Sequence, residues 1–438
     1  MGDKTLILQP SKELLQQNHD KITSYGIPAT IYSASCGKKE LSNMIYATLG
    51  SINKVVDKLK EMGIRNVLID EAHAGYSPED GSEFMTFMNE LKPKKVIGFT
   101  ATPCRLKTMS IGQVSYSQLN FITRMRPVYF KNLIHVIQVE EMIRQGFWTP
   151  LKYETWDFNG DALKLNSNGS EYTAESISEA VRKNGLNNLI LRRLMVLKDV
   201  CRSILVFMDS VESCNTAAEW MNAKICAGMA EVVRGGTPKR QREAIVERFK
   251  SGGTQVVFNY SALGTGFDHP GLDCVVFGRP TFSFSTWYQT IGRAVRIKDG
   301  KDSAMVVDCC DNSSRFGDIR GLSIENYKGY GWGMFIDDKL ITNIPMGDKV
   351  TKTDLDIKAA KKDRRRGLAQ GVTAAPIPGR PPHPLGSTVM AFGKYSGWML
   401  HSIPVSYFKF INETFDWDND RNNDIKEYID FLIKNNRL

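Results

Sequence analysis

The stretch that decides the fold is Val67–His73, which reads VLIDEAH: three apolar residues followed directly by two carboxylates. A short apolar run of this kind predicts a buried strand of a parallel sheet. Open α/β sheets bind ligands at the carboxyl ends of their strands, which is where Asp70 and Glu71 would lie. Nucleotide hydrolysis needs one carboxylate that holds Mg²⁺ through water and a second that polarises the attacking water. The pair therefore indicates a nucleotide-hydrolysing site, although a solvated acidic turn would leave the same pattern.

Short apolar runs alternate with amphipathic segments through roughly the first 310 residues. Strands are predicted at 6–8, 67–69, 96–99, 204–207, 256–258 and 274–277, and helices at 11–19, 52–62 and 239–250. Strands that alternate with helices predict α/β domains, each with a central parallel sheet. The pattern is interrupted between about residues 105 and 200, where the polar stretch from Phe158 to Gly169 indicates a loop or hairpin.

The composition is that of a folded protein, with 438 residues of which 42% are hydrophobic and 24% charged. This length predicts two to four domains, and the formal charge of +9 weakly favours polyanionic partners. No apolar run approaches the ~18 residues of a membrane span, and the first residues show no signal-peptide pattern. Eight cysteines without a CxxC pair argue against a zinc site or a disulfide framework. We expect a soluble, cytoplasmic protein without a membrane partner.

Two later segments, taken together with the carboxylate pair, indicate a family resemblance. Asp-Glu-Ala-His at 70–73 is followed by Thr-Ala-Thr-Pro at 100–103, and the segment QTIGRAVR at 289–296 fits the pattern QxxGRxxR. In this order and spacing they resemble the signature motifs of superfamily 2 helicases of the DEAH/DEAD type. The resemblance extends over residues ~5 to 310 and favours DNA helicases of phage and bacterial recombination or restriction type.

The resemblance implies roles for the residues at matching positions. Asp70 and Glu71 would be catalytic and would hold the metal. Arg293 and Arg296, i, i+3 neighbours on a helix, would be catalytic by neutralising charge on the γ-phosphate. His73, Thr100 and Thr102 would couple the nucleotide to the nucleic acid. The residues expected to bind ATP are Asp70, Glu71, Gly266, Asp268, Gln289, Arg293 and Arg296, and the expected cofactors are ATP and Mg²⁺.

A second set of residues would contact the nucleic acid, because a hydroxyl at a helix N-terminus can meet a phosphate. By resemblance these are Gln9, Pro10, Ser11, Thr48, Ser51, Ser261 and Thr265. Without the resemblance, the hydroxyl residues among them would be read as ordinary helix caps. The expected partner is DNA, single-stranded or branched, together with recombination or replication proteins.

The family's phosphate-binding loop, GxxxxGK followed by Ser or Thr, does not occur in the 438 residues. The segment at 36–39 (CGKK) has Tyr32 at the first glycine position and no hydroxyl after its first lysine. Without such a loop no backbone cradle holds the β- and γ-phosphates. Three interpretations stay open: a start inside a longer reading frame, a separate polypeptide that carries the loop, and a chain that has lost ATP turnover.

The predicted fold class is α/β, with two RecA-like parallel-sheet domains, the first N-terminally truncated, and a small C-terminal α+β module. The predicted segments are domains at 1–150 and 151–345, a basic and Pro-rich linker at 346–386, and the module at 387–438. The basic run at 358–366 would either clamp nucleic acid or be a solvated linker. The module resembles a small domain that follows some DNA exonucleases, with the pattern FGKxxG, and its aromatic residues would form either a core or a stacking surface.

The predicted function is an ATP-dependent DNA helicase or translocase of superfamily 2. One alternative is a helicase-shaped protein that binds DNA or serves as a scaffold without turning over ATP. The other alternative is an RNA helicase.

Overall fold

The computed structural model describes residues 4–111, 114–263, 267–359, 383–388, 390, 395, 398–414 and 423–438. The chain divides into two units, of which the first comprises residues 1–327 and 331–351 and the second residues 328–330 and 352–438. Most of the predicted linker, at 360–382, lies outside the described residues. Within the described part of the chain, no helix has both the length and the apolar character that crossing a membrane requires.

The first sheet has six strands in the order β3-β2-β4-β1-β5-β6. Its parallel strands are β1 (Thr5–Leu8), β2 (Thr30–Ser33), β4 (Met44–Ala47), β5 (Asn66–Ile69) and β6 (Lys95–Gly98), while β3 (Lys38–Lys39) pairs antiparallel with β2. The helices of this domain are α1 (Lys12–Ser24), α2 (Leu49–Ile52), α3 (Val56–Met62) and α4 (Glu83–Leu91). The predicted helix at 52–62 is divided because Val55 leaves the helical region, with φ −131° and ψ 25°.

The second sheet is entirely parallel, in the order β11-β12-β10-β13-β14-β9. Its strands are β9 (Leu151–Thr155), β10 (Ile204–Phe207), β11 (Ala230–Arg234), β12 (Val256–Tyr260), β13 (Cys274–Phe277) and β14 (Ala304–Asp308). The helices around it are α6 (Ala174–Lys183), α7 (Leu186–Val200), α8 (Val211–Lys224), α9 (Lys239–Ser251), α10 (Phe284–Ala294) and α11 (Asn312–Phe316), and α5 (Val139–Arg144) precedes it. The central strands are buried, as the continuous apolar runs predict. The two parallel sheets confirm the predicted fold class.

Two antiparallel additions were not predicted. A hairpin, β7 (Cys104–Ile111) and β8 (Val114–Phe121), follows the first sheet, and a four-stranded sheet, β15 (Leu322–Tyr327), β16 (Gly331–Ile336), β17 (Lys339–Leu340) and β18 (Val350–Thr351), follows the second. The hairpin connects the two domains, because Thr108 Oγ1 donates to Asn168 O at 2.7 Å and Ser117 Oγ donates to Gly169 O at 2.9 Å. A Cβ at residue 169 would collide with Thr108, so this contact requires glycine.

The described parts of the second unit include the helices α12 (Val405–Thr414) and α13 (Asn423–Lys434). They have their own core, in which Phe408 and Tyr428 are almost fully buried. Trp398 and Phe410, by contrast, keep 45% and 57% of their surface exposed. The aromatic residues of this unit therefore divide between a core and an exposed surface.

His269 makes stability depend on pH. It is 4% exposed, and its Nε2 lies 2.9 Å from Ser203 Oγ. Burial, with a contribution from the charge of Lys298, lowers its pKa to about 4. The unfolded value is about 6.5, so the stability gained from the neutral ring is complete above that pH and is lost as pH falls toward 4. We expect the free energy of unfolding, measured with denaturant, to fall more steeply over this window than in His269→Gln. Equal slopes for the two proteins would contradict the assignment.

Candidate active site

The predicted residues of the first domain meet at one edge of its sheet. Backbone pairing continues past the strand ends, since Asp70 N donates to Leu8 O at 3.0 Å and Phe99 N donates to Ile69 O at 2.8 Å. Parallel strands end at a common edge, so the segments after β1, β4, β5 and β6 lie side by side there. The order of the strands thus places the Asp-Glu-Ala-His segment next to the Thr-Ala-Thr-Pro segment.

Asp70 is a half-buried carboxylate, and few hydrogen bonds offset the hydration that its charge loses on burial. Its Oδ2 accepts from Asn18 Nδ2 at 3.1 Å and its Oδ1 accepts from the Glu71 backbone N–H at 2.9 Å. Burial raises its pKa, and the charge of Glu71 adds to this effect. Gln9 is buried and accepts from Asn18 at 3.3 Å, so it lies beside Asp70 and not on the open surface expected of a nucleic-acid contact. Sequence reasoning had assigned no role to Asn18.

A chain of polar contacts leads from Glu71 to the second domain. Glu71 Oε2 lies 3.2 Å from His73 Nδ1, which lies 2.7 Å from Thr100 Oγ1. Thr100 Oγ1 also accepts from the backbone N–H of Thr102 at 3.0 Å. The hydroxyl of Thr102, which is fully buried, accepts from Ser285 Oγ on α10 at 3.2 Å. His73, Thr100 and Thr102 therefore lie in the connected positions that a coupling role requires, and Ser285 is an unpredicted extension.

Arg105 fixes the loop that follows the two carboxylates. Its Nη2 donates to the carbonyl oxygens of Ala72 at 3.1 Å and Tyr76 at 2.7 Å. A guanidinium that bridges two carbonyls four residues apart restrains the loop that carries His73. This role was not predicted, although Arg105 comes directly after the Thr-Ala-Thr-Pro-Cys segment.

Arg293 and Arg296 are not neighbours on one helix as predicted, because α10 ends at Ala294 and Arg296 lies beyond its C-terminal end. Arg293 Nη1 donates to Phe267 O at 2.9 Å, while its Nε is buried without a hydrogen-bond partner. Burial lowers the pKa of Arg293 to about 10, so it stays protonated at neutral pH. Arg296 is exposed and pairs with Asp268 Oδ1 at 2.6 Å, and Asp268 also accepts from Gln17 of α1 at 3.4 Å. Arg293 therefore keeps a buried donor without a protein partner, whereas Arg296 is held at the surface by Asp268.

These groups surround a cavity of about 580 Å³. Its polar lining includes Gln17, Glu71, Thr100, Asp268, Gln289, Arg293 and Arg296. Two guanidinium groups and two carboxylates in one cavity suit a polyanion that reacts with water. Of the predicted nucleotide contacts, Gly266 lies outside the described residues.

Asp70 and Glu71 fit Mg²⁺ better than a metal held by protein ligands alone. Among the described residues no group of three or more His, Cys, Asp or Glu side chains is arranged to hold a metal. Mg²⁺ keeps several of its waters and commonly takes one or two carboxylates together with substrate phosphates. A half-buried carboxylate with a raised pKa, such as Asp70, also gains from a nearby cation.

Ser11 and Thr48, two of the predicted nucleic-acid contacts, have local hydrogen-bond partners. Ser11 caps α1, since its Oγ accepts from a backbone N–H of the first turn at 3.3 Å. Thr48 Oγ1 donates to Ser51 Oγ at 3.1 Å, and Ser261 is exposed with φ 51°. Pro10 is exposed beside Ser11. Their contact with nucleic acid stays a prediction, and Thr265 lies outside the described residues.

The two halves of this site correspond to two known domain families. The DEAD/DEAH box helicase model matches residues 1–109, and the model of the helicase conserved C-terminal domain matches residues 186–298. The fold is similar to that of a fragment of an HsdR subunit of a type I restriction enzyme from Vibrio vulnificus, with a TM-score of 0.51 and 19% identity over 72% of this chain and 55% of that one. The chain belongs to the superfamily 2 helicases.

Particular relatives support the same family. The chain is 25% identical over 279 residues to IRC3 of Saccharomyces cerevisiae, whose name describes it as an ATP-dependent helicase. It is 22% identical over 308 residues to the 51.5 kDa protein of a Lactococcus phage. These matches cover 63% and 70% of this chain but only 38% and 59% of the relatives. The chain therefore spans less than two thirds of either relative's length.

Proposed function

We propose that the chain is the motor part of an ATP-dependent DNA helicase or translocase. The observation that supports this most strongly is that Glu71 of the first domain and Arg293 of the second line one cavity. They are the two kinds of group that phosphoryl transfer to water needs on opposite sides of the reacting phosphate. ATP is the expected substrate and Mg²⁺ the expected cofactor.

Each residue has a defined part in this proposal. Glu71 orients the attacking water and polarises it, while Arg293 neutralises the charge that develops on the γ-phosphate. Mg²⁺, when bound near Asp70, would supply further charge neutralisation at the phosphates. The contacts from Glu71 through His73, Thr100 and Thr102 to Ser285 connect the state of the nucleotide to α10. Because ATP contacts both domains, its binding would favour their closed arrangement.

DNA is the nucleic acid along which we propose that the chain moves. The resemblance of residues 99–153 to recombination- and restriction-type helicases favours it, as does the restriction-enzyme context of the structurally similar HsdR fragment. A second candidate function is DNA binding without turnover, which is favoured by the lack of a GxxxxGK[ST] segment within the 438 residues. The two candidates share nucleic-acid binding and differ in hydrolysis.

Nucleic-acid binding by the 438-residue chain is expected to be salt-dependent and largely independent of sequence. Each phosphate contact releases counterions, so the logarithm of the affinity should fall linearly with the logarithm of the salt concentration, by about 0.7 per phosphate for a single strand. Fluorescence anisotropy of labelled single-stranded DNA over a salt series measures this slope. A single-stranded RNA of matched sequence is the control for the choice of DNA.

Tighter binding of the matched RNA would favour the RNA-helicase alternative. Undetectable binding of both strands at low salt would remove the nucleic-acid assignment. ATP hydrolysis is tested separately through Glu71 and Arg293, so the two halves of the proposal can fail independently.

A further inference from the structure

Four aromatic side chains of the second unit form a continuous row at its surface. The rings lie in the order Trp398, Tyr395, Tyr407 and Phe410, and the centroids of successive rings are 5.4, 4.8 and 6.2 Å apart. The first two contacts are edge-to-face, which is a preferred arrangement of aromatic pairs. Trp398 and Phe410, at the two ends, are the most exposed of the four. We call these four residues the aromatic row.

The core of the second unit does not account for the ends of the aromatic row. Tyr395 and Tyr407 are half-buried and pack against that core, whereas Trp398 and Phe410 do not belong to it. The largest side chains inside the core are Phe408 and Tyr428, which are almost fully buried. Removal of either end ring should therefore leave the core of this unit intact.

Two backbone elements fix the aromatic row. Trp398 N donates to Tyr395 O at 3.0 Å, so the first two rings lie on one hydrogen-bonded turn. Tyr407 and Phe410 are three residues apart on α12 and therefore lie on the same side of that helix. Rings held on a turn and a helix lose little conformational freedom when a ligand binds, which favours binding.

The charge of the second unit suits a polyanion. Its sequence has 15 Lys and Arg against 10 Asp and Glu, so it carries five of the nine excess positive charges of the chain. Six of these basic residues fall within residues 358–366. Lys409, which is exposed, directly precedes Phe410 on α12. Exposed rings beside a cation, in a unit with a positive excess, are the combination that binds bases and phosphates together.

The spacing of the aromatic row favours a single strand over a duplex. Successive bases in a duplex are ~3.4 Å apart, which is less than any of the three steps along the row. Bases that contact neighbouring rings must therefore separate from each other, as only an unpaired strand does easily. Proteins that bind single strands without sequence preference use aromatic side chains on which successive bases stack.

We propose that the aromatic row is a binding site for single-stranded nucleic acid, in which bases stack on Trp398 and Phe410 while Lys409 contacts a phosphate. The site recognises unpaired bases, which DNA and RNA share. The inference goes beyond the proposed motor function, because it concerns the second unit and uses no residue of the nucleotide cavity.

The test measures how much of the affinity of the full chain comes from bases. Fluorescence anisotropy is recorded with a labelled thymidine strand and with an abasic strand of equal length, which has the same phosphates but no bases. We expect the thymidine strand to bind at least tenfold more tightly than the abasic strand. A uridine strand of the same length distinguishes RNA from DNA as the source of the bases.

Trp398→Ala and Phe410→Ala should each weaken binding of the thymidine strand about fivefold or more, the lower end of the range for a base stacked on an aromatic side chain. Neither should change the affinity for the abasic strand. Trp398→Phe and Phe410→Tyr keep a ring and should bind nearly as wild type. Ile433→Ala is the matched control, because it removes an exposed apolar side chain of α13 outside the aromatic row and should change nothing. Lys409→Gln should lower the salt slope for both strands by about 0.7.

Equal affinities for the thymidine and abasic strands would overturn the proposal. Losses of the same size for both strands in Trp398→Ala and Phe410→Ala would overturn it too. A proline-rich peptide is another ligand of aromatic surfaces, and residues 374–384 have that composition. Binding of a peptide with that sequence, removed by the same two substitutions while the thymidine strand is unaffected, would assign the aromatic row to a peptide instead. The motor assignment is judged separately, by hydrolysis in Glu71→Gln.

Discussion

Glu71→Gln is expected to lower ATP turnover by roughly 10²–10⁴-fold in a protein in which a fused segment supplies a phosphate-binding loop. Glutamine keeps the size of the side chain and its position beside His73, but it cannot accept a proton from the attacking water. Asp70 is unchanged, so metal and nucleotide binding should remain near wild type. Single-turnover hydrolysis measures the chemical step, and equilibrium binding of a labelled nucleotide measures affinity.

Glu79→Gln is the matched control for this prediction. Glu79 lies eight residues later in the same loop region and is exposed, so the same loss of charge there should leave turnover unchanged. Near-normal hydrolysis in Glu71→Gln would mean that another group activates the water and that the assignment of Glu71 is wrong. A parallel loss of nucleotide binding would instead indicate that Glu71 mainly holds the metal.

The fold was largely predictable because its signal is local. Runs such as residues 67–69 and 274–277 are apolar without interruption, since parallel strands are covered on both faces. The hairpin at 104–121 was missed because its apolar alternation slips by one residue between Leu106 and Met109, which hides the two-residue period. The helix break at Val55 was missed because the predicted helix at 52–62 contains no glycine or proline that would indicate a break.

The site was predictable only where a motif marks it. Asp70, Glu71 and Arg293 belong to short segments of fixed order, and the sheet brings those segments together. Asn18 and Gln17 are ordinary polar residues of α1 whose partners, Asp70 and Asp268, lie 52 and 251 residues away along the chain. These partners depend on how α1 packs on the sheet and against the second domain. That packing cannot be predicted from a local sequence pattern.

Arg293→Ala is expected to lower the rate of the chemical step by roughly 10³–10⁵-fold, the range found for arginine groups that neutralise a transferring phosphoryl group. The structure distinguishes Arg293 from Arg296, because Arg293 is largely buried in the cavity with one nitrogen unpartnered, whereas Arg296 is exposed and paired with Asp268. Arg293→Lys keeps the charge without the planar fork and should recover only part of the rate. Single-turnover hydrolysis at saturating ATP, again with the phosphate-binding loop supplied, measures each variant.

Arg296→Ala is the informative comparison, since it removes a charge of the same kind three residues later, beyond the end of α10. It breaks the ion pair with Asp268, whose other contact is Gln17 of the first domain, so it should act on how the domains hold together around the nucleotide more than on the chemical step. We therefore expect a larger effect on the ATP concentration needed for half-maximal rate than on the maximal rate. Lys298→Ala, at an exposed position two residues further on, should change neither. Equal losses of maximal rate in Arg293→Ala and Arg296→Ala would contradict the division of roles that their environments imply.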